Sequence, residues 1–133
     1  MQQRAVIAVS IVISGALIAG AVLLLNRATS LEMRADGNNV SVVDGRQIIE
    51  IEAKAGYWPR YTLAEADIPS VLRILTNGTF DCSLALTIPA LGYYDYLPSF
   101  GATDIQVPPQ AAGTVLRGLC TMAGMYNFAV RFN

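Results

Sequence analysis

Apolar positions follow two different periods along the chain. Residues 5–25 are almost uniformly apolar, whereas apolar positions recur at every second residue in several segments after residue 40. From Ala5 to Leu25 there is no charged residue and no proline, and a helix of this length reaches about 30 Å, which spans a bilayer. The pattern predicts a transmembrane anchor at residues 1–27 and a polar linker at residues 28–39.

A cleaved signal peptide is the alternative interpretation of the apolar segment, because Arg4 gives it a basic start and small residues lie near its end. The run is longer than the apolar core of about 7 to 15 residues that is typical of signal peptides, which favours an uncleaved anchor in membrane lipid. Gly15 with Ala19, and Ala16 with Gly20, lie one helical turn apart. Such a face allows a helix of a membrane-protein partner to pack closely.

Strict alternation indicates strands in the remaining sequence. Ile49, Ile51 and Ala53 alternate with charged residues, which is typical of a sheet with one buried face. Seven or eight short strands separated by turn residues predict an all-β, antiparallel β-sandwich at residues 40–133. The expected strands are Val40–Val43, Gln47–Ala55, Tyr61–Leu63, Val71–Thr76, Leu84–Ile88, Ile105–Val107, Thr114–Leu119 and Tyr126–Phe132, and Gly92–Pro98 is expected to be a loop.

Charge and composition exclude several classes of function. From residue 28 onward the chain has seven basic and ten acidic residues, which argues against a nucleic-acid partner. The sequence contains no histidine, so acid–base catalysis by histidine, serine triads of the usual kind and His-ligated zinc are not available. No carboxylate pair or phosphate-binding glycine loop stands out, and we expect the protein not to be an enzyme.

Sulfur is concentrated near the C-terminus. Cys120, Met122 and Met125 lie between two predicted strands, and Cys82 follows another strand end, from which a sandwich can bring it to the same pole. Two thiolates and one or two thioethers form a soft donor set that selects Cu(I). Met122 and Met125 are alternative or joint ligands. Asp81 is expected to be a solvated carboxylate, the alternative being a hydrogen bond to the backbone of a ligand residue. The alternative is a Cys82–Cys120 disulfide with the methionines filling core gaps.

The order of these residues resembles the cupredoxin family, specifically membrane-anchored prokaryotic cupredoxin-like domains rich in Cys and Met. The resemblance covers about residues 40 to 133 and rests on Cys82, Ile88-Pro89, Leu97-Pro98, Gly101, Val107-Pro108, Gly113 and the loop from Cys120 to Tyr126.

That resemblance implies a Greek-key β-sandwich with the N-terminal copper ligand at Cys82 and the others at Cys120 and Met125. Cys82 and Met125 stand where the family usually has histidines, and sulfur at both positions favours Cu(I) over Cu(II).

The expected function is an extracytoplasmic protein, anchored in the cytoplasmic membrane, that binds one Cu(I) and holds it or transfers it to or from a copper donor or acceptor protein. One alternative is an accessory or electron-transfer subunit of a larger respiratory or photosynthetic membrane complex, with or without a metal. Another is a purely structural sandwich closed by the Cys82–Cys120 disulfide.

Overall fold

The computed structural model describes residues 39–122 and 125–133. The predicted anchor at residues 1–27 and the linker up to residue 38 lie outside the described residues. Within the described ranges, no helix is long and apolar enough to cross a membrane. The strands are β1 (Val40–Val43), β2 (Arg46–Ala53), β3 (Tyr57–Trp58), β4 (Tyr61–Ala64), β5 (Ser70–Asn77), β6 (Ala85–Ile88), β7 (Tyr93–Tyr96), β8 (Phe100–Val107), β9 (Val115–Cys120) and β10 (Asn127–Phe132).

The first sheet has the strand order β1-β2-β5-β8, and β3 also pairs with β2. A two-residue turn joins β1 to β2, with Val43 opposite Arg46. Both turn residues, Asp44 and Gly45, have positive φ angles of 51° and 72°, as the tight hairpin turns that match strand twist require. The Asp-Gly pair thus fixes the register of the first hairpin.

The second sheet has the order β4-β10-β9-β6-β7. In it the C-terminal strand β10 lies between β9, to which it is antiparallel, and β4, to which it is parallel. The chain leaves the first sheet at β4 and returns as β5, which pairs parallel with β2. The prediction of an all-β sandwich is confirmed, but the prediction that it is purely antiparallel is wrong at these two pairings.

The core lies between the two sheets and follows the alternation read from the sequence. Ile49, Ile51 and Ala53 of β2 are at most 1% exposed, and they meet buried residues of the second sheet such as Phe128. The ring of Phe128 covers Gly118 on the paired strand β9. A Cβ atom at Gly118 would lie 2.3 Å from two ring carbons, so this position has no room for a side chain.

Two predicted elements differ from the structure. Gly92–Pro98, expected as a loop, contains the edge strand β7, which pairs with β6. Strand β8 begins at Phe100 rather than at Ile105. Most residues of β7 and of the first half of β8 are exposed. A strand without a buried face has no apolar alternation to reveal it. Within the described residues there are ten strands against the seven or eight expected, because β7 and the two-residue β3 were not predicted.

Candidate metal centre

The two cysteines of the chain meet at one end of the sandwich. Cys120 is the last residue of β9 and is fully buried. Cys82 begins a single-turn 3-10 helix, Cys82–Leu84, which leads into β6. Because Leu86 of β6 is directly opposite Cys120, the start of β6 lies beside the end of β9. Both cysteines are free thiols, and Cys82 is half-buried against the core cluster that contains Cys120.

The neighbourhood of Cys120 raises the pKa of Cys82. Its side-chain hydrogen bond with Cys120, then burial, then the negative charges of Cys120 and Asp81 raise the pKa of Cys82 to about 11. At neutral pH this residue therefore keeps its proton. A metal that binds as a thiolate complex must displace that proton, so binding becomes tighter as the pH rises.

A hydrogen-bond network around Asp81 fixes the backbone on both sides of Cys82. The Asp81 carboxylate caps the 3-10 turn by accepting a hydrogen bond from Ser83 N at 2.8 Å. It also accepts from Ala55 N at 2.8 Å and from the Ser83 hydroxyl. Gly56 N donates to Ser83 Oγ at 2.9 Å. The turn between β2 and β3 therefore holds the Cys82 segment against the sheet.

Tyr57 supports the same segment from inside the core. Its hydroxyl donates to Ser83 O at 2.9 Å, and its ring packs edge-on against Phe128 with a centroid distance of 5.2 Å. Burial first, then the negative charges of Cys120, Cys82 and Asp81, raise the pKa of Tyr57. The hydroxyl therefore remains a hydrogen-bond donor at any physiological pH.

The loop between β9 and β10 carries both methionines and begins directly after Cys120. Cys120 N donates to Tyr126 O at 2.9 Å, which closes the loop. The Cys120 thiol donates to Met122 O at 3.6 Å. Met122 and Met125 are each 67% exposed, so they do not fill core gaps as the disulfide interpretation assumed. Their side chains are accessible from solvent.

The candidate metal ligands at this end of the sandwich are two thiols and two thioethers. Over residues 39–122 and 125–133, no group of three or more His, Cys, Asp or Glu side chains is placed to hold a metal ion. The carboxylate of Asp81, the residue before Cys82, already accepts hydrogen bonds from Ala55 N, Ser83 N and the Ser83 hydroxyl. Two adjacent thiols with exposed thioethers match the ligand preference of Cu(I).

The sequence interpretation overlooked the supporting residues. Asp81 was expected to be solvated, but its carboxylate accepts hydrogen bonds from Ala55 and Ser83. The local signal was present, because an Asp two residues before a Ser is a common N-cap arrangement. The contacts from Ala55, Gly56 and Tyr57 come from 26 or 27 residues away in sequence, and no local pattern encodes them.

Solved structures share this fold. One is the metal-binding domain, with Cu(I), of the Cu(I)-exporting P-type ATPase CopA of Streptococcus pneumoniae D39, with a TM-score of 0.61 and 21% identity over 71% of this chain and 92% of that domain. Another is a copper-binding protein in its apo form, with a TM-score of 0.64 and 21% identity over 75% of this chain and all of that one. At such identity the likeness shows the fold alone. No family model and no curated protein matches the sequence.

Proposed function

We propose that this protein binds Cu(I) through the thiolates of Cys82 and Cys120, with Met122, Met125 or both as thioether ligands, and that it holds or transfers the ion. The observation that carries the proposal is the pair of adjacent free thiols, one buried and one half-buried, beside a loop with two exposed thioethers. The soft donor set favours Cu(I) over zinc and over hard cations. The shared fold of two copper-binding domains supports this assignment.

The proposed ligands differ in their exposure to solvent, and this difference favours exchange of a bound ion. Cys120 is buried, Cys82 is half-buried, and Met122 and Met125 are exposed. A thioether at the rim binds Cu(I) more weakly than a thiolate, so it is the ligand that an incoming group displaces first. Copper is cargo here and keeps its oxidation state, while the proton held by Cys82 is released when the ion binds.

We further propose that the protein works at the outer face of the cytoplasmic membrane, attached through residues 1–27. The uncharged stretch from Ala5 to Leu25 supports this location. The partners would be membrane lipid, a copper donor or acceptor protein and, through the small residues of the anchor, a membrane-protein helix. Partial protease digestion of intact and lysed cells would locate the domain.

An anaerobic competition titration tests copper binding. The purified full chain competes with a chromophoric Cu(I) chelator, and the wild type is compared with the Cys120→Ser and Cys82→Ser variants. Because loss of supporting residues alone commonly weakens a metal site 10- to 100-fold, loss of a thiolate should weaken Cu(I) binding by more than about 100-fold. If Cys120→Ser competes as well as the wild type, the proposal fails.

The alternative role as an electron carrier makes a different spectroscopic prediction. A redox site would show an intense visible thiolate-to-Cu(II) band after oxidation, whereas a holding site should stay colourless and resist oxidation. Urea unfolding of each apo variant controls for damage to the fold.

A further inference from the structure

A cleft of about 190 Å³ opens beside the loop between β9 and β10, which carries Met122 and Met125 and is called the sulfur loop below. Gly56, Trp58 and Arg60 line one part of it, and Met125 and Tyr126 line another. Gly56 has a φ angle of 121°, which favours glycine. A Cβ atom there would lie 3.6 Å from the Trp58 indole nitrogen and 3.7 Å from the Tyr126 ring. The missing side chain therefore leaves the space between these two aromatic rings open.

The cleft adjoins the candidate metal centre at two points. Met125 both lines the cleft and belongs to the sulfur loop. On the other side, Gly56 N donates to Ser83 Oγ at 2.9 Å, and Ser83 follows Cys82 directly. A molecule in the cleft therefore lies against a candidate thioether ligand and next to the segment that positions Cys82.

The size of the cleft limits its occupant. Since a water molecule takes about 30 Å³ of liquid volume, 190 Å³ corresponds to about six waters. Pockets for drug-sized ligands and cofactors usually start at about 300 Å³. The cleft therefore fits a molecule about as large as a single amino acid and is too small for a nucleotide.

The charge of the cleft indicates which small molecules it prefers. Among the described residues that line it, Arg60 is the only one with a charge. A guanidinium group matches the geometry of a carboxylate and can donate two parallel hydrogen bonds to it. The chain as a whole is acidic, with a formal net charge of −1. Attraction of an anion here would therefore be a local property of Arg60 and not of the overall charge.

We propose that this cleft binds the carboxylate end of a small thiol that brings Cu(I) to the protein as a thiolate complex. The inference rests on the proposed function, because Cu(I) at a sulfur site must arrive on a soft carrier ligand. With the carboxylate held by Arg60 and the aliphatic part between Trp58 and Tyr126, the carrier sulfur is directed towards Met125.

The exchange step balances without any redox partner. The bond between Cu(I) and the carrier thiolate breaks, and a bond between Cu(I) and the Cys82 sulfur forms. The proton displaced from Cys82 passes to the departing carrier thiolate, which leaves as a neutral thiol group. The copper ion stays Cu(I) throughout.

Intrinsic fluorescence provides a direct binding test, because Trp58 is the only tryptophan of the chain and lines the cleft. Mercaptopropionate added to the apo protein should change the Trp58 emission in a saturable manner, and mercaptoethanol, which lacks the carboxylate, should not. Arg60→Gln should abolish the response and Arg60→Lys should keep part of it. Arg117→Gln, which removes an exposed arginine of β9, is the matched charge control.

Copper uptake gives the second measurement. Uptake rates from the Cu(I) complexes of the two thiols are measured by stopped flow for the wild type, Arg60→Gln and Arg117→Gln. The rate ratio in favour of mercaptopropionate should fall about tenfold in Arg60→Gln, as the loss of one charge-assisted contact implies, and should be unchanged in Arg117→Gln.

The outcomes separate the two proposals. If the wild type wins Cu(I) from the chelator but Arg60→Gln keeps both the fluorescence response and the rate ratio, the cleft proposal is overturned and copper binding stands. If the wild type takes Cu(I) neither from the chelator nor from either thiol, copper binding itself is overturned, and the carrier site with it.

Discussion

Replacing Gly118 by alanine tests the packing beneath the metal centre. The new Cβ would lie 2.3 Å from Phe128 Cε1 and Cζ and 3.1 Å from Cδ1, whereas carbon atoms in good contact are about 3.5 to 4.0 Å apart. The Phe128 ring, which is 1% exposed, would therefore have to move by more than about 1 Å. The Phe128 ring packs on Tyr57. The Tyr57 hydroxyl donates a hydrogen bond to the backbone carbonyl of Ser83, the residue after Cys82.

The sign of the change in the free energy of unfolding shows whether close packing or strand propensity dominates at position 118. Without a clash, alanine should stabilise a strand by about 0.5 to 1 kcal/mol relative to glycine. Overpacking of a core costs about 1 to 3 kcal/mol. We therefore expect Gly118→Ala to lower the free energy of unfolding by about 2 kcal/mol and to weaken Cu(I) binding through Tyr57.

Urea denaturation followed by circular dichroism measures this change, and a double-mutant cycle identifies its cause. In a Phe128→Leu background the smaller side chain relieves the overlap, so Gly118→Ala should cost much less than in the wild type. A stabilised Gly118→Ala protein, or the same loss in both backgrounds, would refute the packing argument.

Three further predictions concern charge and protonation. Asp81→Ala leaves three donors without their acceptor, so urea denaturation should show a loss of about 2 to 3 kcal/mol, against a much smaller loss for the control Asp95→Ala, whose carboxylate accepts one solvent-exposed hydrogen bond, from Tyr96 N. Arg73 holds the pKa of Asp104 below its ordinary value, so their ion pair stabilises the fold above about pH 4 and this stabilisation is lost as the pH falls through the folded-state pKa. In Asp104→Asn the fall of the urea midpoint over this acidic range should be slightly smaller than in the wild type, because the pair is exposed and screened by solvent. Because the pKa of Cys82 is raised to about 11, the apparent Cu(I) affinity in chelator competition should rise about tenfold per pH unit for each proton displaced and should still be rising above pH 9, and a plateau at or below the ordinary thiol pKa would contradict the raised value.

Local patterns in the sequence predicted the strands that have one buried face. The alternation at Ile49, Ile51 and Ala53 appears in the structure as a buried row of β2. The turn at Asp44 and Gly45 also lies where the sequence placed it. These features are determined by residues that are close together in the sequence, so a local pattern is enough to predict them.

Strand pairings between segments that are far apart in the sequence could not be predicted from local patterns. Strands β2 and β5 pair in parallel because the chain crosses to the second sheet, as β4, between them. The residues of β2 and β5 carry no pattern that indicates this crossover. Strand β7 has three exposed residues out of four, so its tyrosines were interpreted as a loop.

At the candidate site the sulfur-bearing residues could be predicted from the sequence. The hydrogen bonds that hold the backbone around Cys82 could not. Cys82 and Cys120 each follow or end an apolar strand, which predicted a common pole, and in the structure Cys82 packs against the core cluster that contains Cys120. The network of Asp81 with Ala55 and Ser83 joins segments that are 26 residues apart. The raised pKa of Cys82 is a product of that assembled environment.

X-ray absorption spectroscopy of the copper-loaded full chain tests the central claim most directly. The account predicts a Cu(I) edge and a first coordination shell of sulfur alone, with the signal lost when Cys82 and Cys120 are both replaced by serine. Nitrogen or oxygen ligands in the first shell, or an unchanged spectrum in the double variant, would contradict it.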